Sequence, residues 1–245
     1  MAKQSRIDSL LSEIEDALDL DSFISYQQSW DYVRNLQNVK EKIDSLVRSG
    51  AAKQCVPLYE MFLSSCYEKA DEIDDSGGNL DMFFEELFCS WVKARQKAGC
   101  ATEETVHQIL KWMDNDEYGF CHDIEKNLIE TLNREGLSFF ETRIQSRFNE
   151  AFSTAESKNI KRIYDYPYAV RQNADILKVI YTAKGDTESY LSLCEKIGIT
   201  PKDCENIAKI FKENRQFRNA LIWIDKGLEL EKNYPLEAAK IQLHR

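Results

Sequence analysis

The loop from Asp114 to Glu125 holds the densest set of residues that could bind a metal ion. Asp stands at its first and third positions, Gly at the sixth and Glu at the twelfth, which is the order of an EF-hand calcium loop. However, Tyr118 replaces the oxygen ligand expected at position five, and Cys121 replaces the aliphatic residue expected at position eight. We therefore favour a helix-to-helix turn, in which Gly119 takes a left-handed backbone conformation and Asp123 caps the next helix.

The cysteines and histidines form no motif of a zinc site or a catalytic centre. The chain has seven cysteines and three histidines, and no cysteines are paired as C-x-C or C-x-x-C. Cys121 and His122, or Cys100 and His107, could supply ligands, but a structural zinc site needs four that converge. Nucleotide-binding, nucleophile-elbow and zinc-protease motifs do not occur. We expect no metal, no cofactor and no enzymatic activity.

One segment, from Lys158 to Arg171, interleaves basic and aromatic residues. It contains four basic residues and three tyrosines. Such a mixture can bind single-stranded nucleic acid, because aromatic rings stack on bases while cations follow the phosphates. We favour the alternative, a connection between helices whose tyrosines pack between hairpins, because the whole chain has a net charge of −10.

The charge distribution and the amino-terminal residues indicate which partners and which cellular compartment to expect. Residues 1–135 carry 14 basic and 27 acidic side chains, whereas residues 136–245 carry 18 and 15. This asymmetry predicts either solvated helix faces, which we favour, or two ends that meet different partners. The first residues lead directly into a charged amphipathic pattern, and no apolar run is long enough for a bilayer. Together with the unpaired cysteines, this favours a reduced, cytoplasmic protein without membrane contact.

The elements that must position these residues are helices. Nine glycines and four prolines in 245 residues are too few for a turn-rich β-protein. Apolar residues recur at helical spacing in stripes from Ile7 to Leu18, from Trp30 to Leu46, and from Leu58 to Ile73 with Pro57 in the first turn. The clearest stripe contains Leu80, Phe83, Phe84, Leu87, Phe88, Trp91 and Val92, and Gly99 closes it. The sequence therefore predicts an all-α fold.

The carboxy-terminal part shows a repeat. Pro167, Pro201 and Pro235 are separated by 34 residues each, a period typical of stacked helical hairpins. The segment from Pro201 to Tyr234 resembles a tetratricopeptide repeat without gaps, and residues 167–200 resemble a more degenerate copy. The resemblance implies an α-solenoid of antiparallel helical hairpins.

Five positions of this repeat predict how its two helices pack. Ala208, Ala220 and Gly227 are small and should let the helices approach closely. Phe211 and Ile224 should fill the groove between them.

The same resemblance implies a peptide-binding surface on the first helix of the repeat. In tetratricopeptide proteins this helix lines a concave groove, where Lys and Asn side chains can hold the terminal carboxylate of a peptide. The corresponding candidates here are Lys202, Glu205, Asn206, Lys209 and Lys212. The alternative is that these side chains are simply solvated.

A second resemblance covers most of the chain. The segments Asp116–Phe120, Leu132–Leu137 and Glu72–Gly78 together resemble an uncharacterised bacterial family of helical-repeat regions, often found downstream of a SWIM-type zinc finger. These segments are structural turns, so the resemblance implies a fold more than a function. The C-x-C and C-x-H pairs of the finger itself are absent from this chain.

These observations predict one domain organisation and leave two functional hypotheses. We expect an amino-terminal helical region over residues 1–153 and tetratricopeptide-like repeats over residues 154–245. The first functional hypothesis is a non-enzymatic scaffold that binds a protein or peptide. The second is a nucleic-acid-associated module that works with a SWIM-type zinc finger outside this chain. The sequence leaves the oligomeric state open.

Overall fold

The computed structural model describes residues 2–156 and 165–232, and the regular elements of these residues are helices, as the sequence predicted. They are α1 (Ala2–Leu18), α2 (Tyr26–Arg48), α3 (Ala52–Glu68), α4 (Asn79–Ala98), α5 (Thr102–Asp114), α6 (Ile124–Thr131), α7 (Arg134–Glu156), α8 (Tyr168–Lys184), α9 (Thr187–Ile197), α10 (Pro201–Glu213) and α11 (Phe217–Lys232). A short 3₁₀ helix spans Ala70–Glu72. None of the helices in the described ranges is both long and apolar enough to cross a bilayer.

The chain divides into two compact units, Met1–Phe139 and Phe140–Arg245. The division falls inside α7, whereas the sequence placed it between residues 153 and 154. Helix α7 is continuous from Arg134 to Glu156, so its first residues pack with one unit and its remaining residues with the other.

The core of the first unit is built on α4. All seven apolar residues of the stripe that the sequence identified are inaccessible to solvent. Helix α4 packs against α2, α3 and α6, which explains why its buried face is broad and aromatic. Gly99 ends the helix in a left-handed conformation, as expected for a glycine at this position.

Three details of the first unit differ from the sequence-based expectations. Helix α3 begins at Ala52, so Pro57 lies inside it rather than in its first turn. Ile73, expected at the end of that helix, instead forms an isolated parallel β-bridge with Ile24. Trp30 lies on the expected stripe of α2 but is 65% exposed.

In the second unit α8 and α9 form one helical pair, and α10 and α11 form another. Helices α10 and α11 come very close at Gly227, where an added Cβ would lie 3.0 Å from the Cβ of Cys204. Ala208 and Ala220 are also buried, as the spacing predicted. The expectation for Ile224 was wrong: its side chain is 46% exposed.

Candidate functional site

A groove between α7, α8 and α9 lies in the second unit. Its volume is about 260 Å³. Three buried apolar side chains, Phe148, Leu177 and Leu193, form its floor. Polar side chains form its rim: Gln145, Asn149, Tyr181, Glu188, Ser189, Ser192 and Lys196. We call this surface the α7–α9 groove.

Local sequence features fix the α8 and α9 walls of the groove. Helix α8 ends at Gly185, whose φ of 67° is readily adopted only by a residue without a side chain. Asp186 then caps α9, because its carboxylate accepts the backbone N–H of Ser189 at 3.0 Å. The sharp turn between the two helices therefore brings the rim residues of α9 beside α8.

The hydroxyl of Tyr181 links two walls of the groove. It accepts a hydrogen bond of 3.1 Å from the side-chain amide of Gln145. Burial raises the pKa of Tyr181 above its ordinary value, so the hydroxyl keeps its proton at neutral pH. That proton can be donated to an acceptor in the groove.

The charged groups of the rim lie at opposite ends of α9. Glu188 is in the first turn and Lys196 in the last, roughly 12 Å apart along the helix axis. Both side chains are exposed, and neither forms an ion pair with another described residue. The groove therefore offers an apolar centre, uncharged hydrogen-bonding groups and one charge of each sign.

The five residues that the sequence nominated all lie on α10, outside this groove. Lys202 and Glu205 are exposed and pair with each other at 2.8 Å. Asn206 is half-buried, and its side-chain amide donates to the hydroxyl of Tyr190 at 3.0 Å. Lys209 and Lys212 are exposed and have no ion-pair partner among the described residues. A ligand-binding role for these five residues stays a prediction from the sequence.

A buried polar cluster, which we call the Asp203 network, holds α10 against α8 and α9. The carboxylate of Asp203 accepts from the ammonium of Lys178 on α8 at 2.8 Å and from the hydroxyl of Tyr190 on α9 at 2.9 Å. Asp203 is 2% exposed and Lys178 is 7% exposed. Burial, followed by the nearby carboxylate, raises the pKa of Tyr190, so it stays a hydrogen-bond donor.

The carboxylate of Asp203 also caps the amino terminus of α10. Its other oxygen accepts the backbone N–H of Thr200 at 2.8 Å, while the hydroxyl of Thr200 accepts the backbone N–H of Asp203 at 3.2 Å. This is a capping box, with Asp in the place of the usual Glu or Gln. The Thr-x-x-Asp spacing was visible in the sequence, but the partner lysine on α8 was not.

The loop that resembles a calcium site is held by hydrogen bonds to its own backbone. The carboxylate of Asp116 accepts the backbone N–H groups of Gly119, Phe120 and Cys121 at 3.0, 3.1 and 2.7 Å. Gly119 has a φ of 84°, as expected. Asp123 occupies the N-cap position of α6, as expected, but it has a φ of 61° and its side chain makes no capping hydrogen bond; its carboxylate pairs with Lys126 at 2.5 Å.

The Asp116 contacts predict a stability effect. We expect Asp116→Ala to lower the free energy of unfolding by about 1–3 kcal/mol, because three backbone donors lose their acceptor. Glu117→Ala, at an exposed position of the same loop, should change it by less than about 0.5 kcal/mol. Urea unfolding followed by circular dichroism compares the two, and equal effects would contradict the assigned role of Asp116.

Over residues 2–244 the sequence matches a family whose description reads "Family of unknown function (DUF6880)". The chain belongs to the DUF6880 family. Neither the curated proteins nor the solved structures include a match to this chain. The matched range includes the α7–α9 groove, the Asp203 network and the Asp116 loop, so all three are features of a DUF6880 member.

Metal-ligating groups do not converge in the described part of this DUF6880 chain. No group of three or more His, Cys, Asp or Glu side chains there is placed to hold an ion. The buried thiols are also weak ligands and nucleophiles at neutral pH, because burial raises their pKa values. The pKa rises to about 11 for Cys55 and to about 12 for Cys194.

The basic and aromatic segment of the DUF6880 chain is only partly described. Its residues 158–164, which include part of the proposed stacking surface, lie outside the described residues. Tyr166 is buried and stacks on Phe152 with ring centroids 5.6 Å apart, whereas Tyr168 is exposed. One of the two described tyrosines is therefore part of the packing between helices, in the way that the favoured interpretation expected.

Proposed function

We propose that this DUF6880 chain is a non-enzymatic helical scaffold that binds a short, extended segment of a partner protein in the α7–α9 groove. The observation that carries the proposal is the combination of a buried apolar floor with a rim of amide and hydroxyl groups. An apolar centre surrounded by a few placed polar groups is the usual composition of a binding pocket.

The rim fits the hydrogen-bonding needs of a peptide backbone. An extended segment exposes both N–H and C=O groups, and each loses its water on binding. Gln145 and Asn149 lie one turn apart on α7, and each side-chain amide contains both a donor and an acceptor. Ser189 and Ser192 offer hydroxyls from the opposite wall. The groove can therefore satisfy backbone groups on both edges of a bound segment.

The distance between the two rim charges suggests the length and polarity of the ligand. Roughly 12 Å corresponds to about four residues of extended chain. A segment of this length would place a basic group near Glu188, an apolar side chain on the floor and an acidic group near Lys196. We propose this order of chemical groups as the recognised feature.

The proposal includes a solenoid architecture, in which the α8–α9 and α10–α11 hairpins are successive tetratricopeptide-like repeats. It is supported by the 34-residue spacing of the prolines and by the close approach of the helices at Gly227.

A peptide library displayed on phage tests the groove directly. We expect selection on the full chain to enrich short segments with an apolar residue between a basic and an acidic one. Ser192→Trp fills the groove from its exposed rim and should weaken binding of the enriched peptides by about tenfold or more. Ala183→Trp introduces the same side chain at an exposed site of α8 outside the groove, and should leave affinity unchanged.

The remaining variants and probes decide between the proposed site and its alternatives. If Lys209→Glu abolishes binding while Ser192→Trp does not, the ligand lies on α10 and the groove proposal fails. Failure to enrich any peptide also contradicts it. Binding of single-stranded DNA that weakens steeply between low and high salt would instead support the nucleic-acid hypothesis, because counterions are released from phosphates.

A further inference from the structure

One face of α11, beside the face that packs on α10, carries a stripe of exposed apolar side chains, which we call the α11 stripe. It consists of Phe217, Leu221, Ile224 and Leu228, which are between 46% and 61% exposed. Single exposed apolar residues are common on protein surfaces, but four along one helix face are not. The stripe therefore indicates a surface that another protein segment covers.

The spacing of the stripe identifies the kind of surface that fits it. The four residues are separated by four, three and four positions, which is the pattern of a coiled-coil seam. Such a seam packs best against another helix that carries the same spacing, because each side chain enters a hole between four residues of the facing helix. A second copy of α11 meets this requirement.

The charges beside the stripe favour an antiparallel pair of identical helices. Arg218 and Asp225 lie on the flank of the stripe that faces away from α10, and both are exposed. Neither has an ion-pair partner among the described residues. When two copies of α11 run antiparallel, with Leu221 of one packed on Ile224 of the other, Arg218 of each copy lies beside Asp225 of the other. The two-fold symmetry forms this pair twice.

We propose that the chain forms a homodimer through the α11 stripe, with the two α11 helices antiparallel and joined by two Arg218–Asp225 pairs. This surface is separate from the α7–α9 groove, so the proposal does not depend on peptide binding. The exposed area of the stripe is roughly 500 Å² per copy, which places the dimer at the small, weakly associating end of specific interfaces.

Sedimentation equilibrium of the full chain, over a wide range of protein concentrations, tests the dimer. We expect the mass to rise from that of one chain to that of two. Arg218→Asp and Asp225→Arg should each weaken association by about tenfold, because like charges then face each other twice. The double variant Arg218→Asp/Asp225→Arg should restore it. Lys226→Asp makes the same change of charge away from the stripe and should associate like the wild type.

Two results would overturn the proposal. The first is a chain that stays monomeric at all concentrations, as expected if residues 233–245, which lie outside the described residues, cover the stripe instead. The second is a dimer that neither single reversal weakens, or that the double reversal fails to restore. Far-UV circular dichroism of each variant separates a lost interface from a lost fold.

Discussion

Replacement of Asp203 by alanine should lower the free energy of unfolding by about 3–5 kcal/mol, the range found when one partner of a buried ion pair is removed. The ammonium of Lys178 would remain buried with only the exposed carboxylate of Asp175, 3.8 Å away, as a counter-charge, and the hydroxyl of Tyr190 would lose its acceptor. Helix α10 would also lose half of its capping box. Urea unfolding monitored by circular dichroism measures the change.

Two further variants distinguish the loss of the buried ion pair from a general destabilisation of α10. Glu205→Ala removes an exposed ion pair on the same helix and should cost less than about 1 kcal/mol. Adding Lys178→Met to Asp203→Ala should recover part of the lost stability, because the buried ammonium that lost its close partner is then gone. A double variant no more stable than Asp203→Ala alone would show that Lys178 is hydrated rather than buried.

Replacement of Phe84 by alanine should have an effect of similar size in the first unit, about 3–5 kcal/mol. The Phe84 ring is inaccessible to solvent and stacks on Phe120 with centroids 4.9 Å apart. It also contacts the rings of Tyr67, Phe88 and Trp112. Truncation would leave a cavity between α4 and the loop that Asp116 organises.

Met82→Ala is the matched control for Phe84, because Met82 lies two residues earlier on α4 and is exposed. We expect its effect to stay within about 0.5 kcal/mol. The Phe84 variant should also increase hydrogen exchange at the backbone N–H groups that Asp116 accepts, since Phe120 loses its support. Unchanged exchange there would show that the loop is stable without the aromatic packing.

Local periodicity correctly predicted those helices whose buried face can be recognised from their own sequence. The α4 stripe was assigned correctly because seven apolar residues at helical spacing leave few other ways to bury them. Trp30 and Ile224 have the same spacing in their own helices but are exposed. Periodicity shows that a helix has an apolar face, but it does not show whether a neighbouring helix covers that face.

The groove was not predictable because three helices contribute to it. Gln145 on α7 and Lys196 on α9 are far apart in sequence, and no local pattern connects them. The pairing of Lys178 with Asp203 was unpredictable for the same reason, because it joins two different helices. The capping box of α10, in contrast, lies within four consecutive residues that begin at Thr200. Long-range pairs depend on how the helices pack, and one sequence carries only weak information about that packing.

The contact between Gly227 and Cys204 has a consequence for sequence variation. The space at this crossing is shared, so a methyl group gained at position 227 needs either a small separation of the two helices or a residue without a Cβ at position 204. The two positions therefore cannot both carry a Cβ while the α10–α11 hairpin keeps its present spacing. Enlargement at position 227 alone would push the two helices apart, whereas a glycine at position 204 alone would leave a cavity between them.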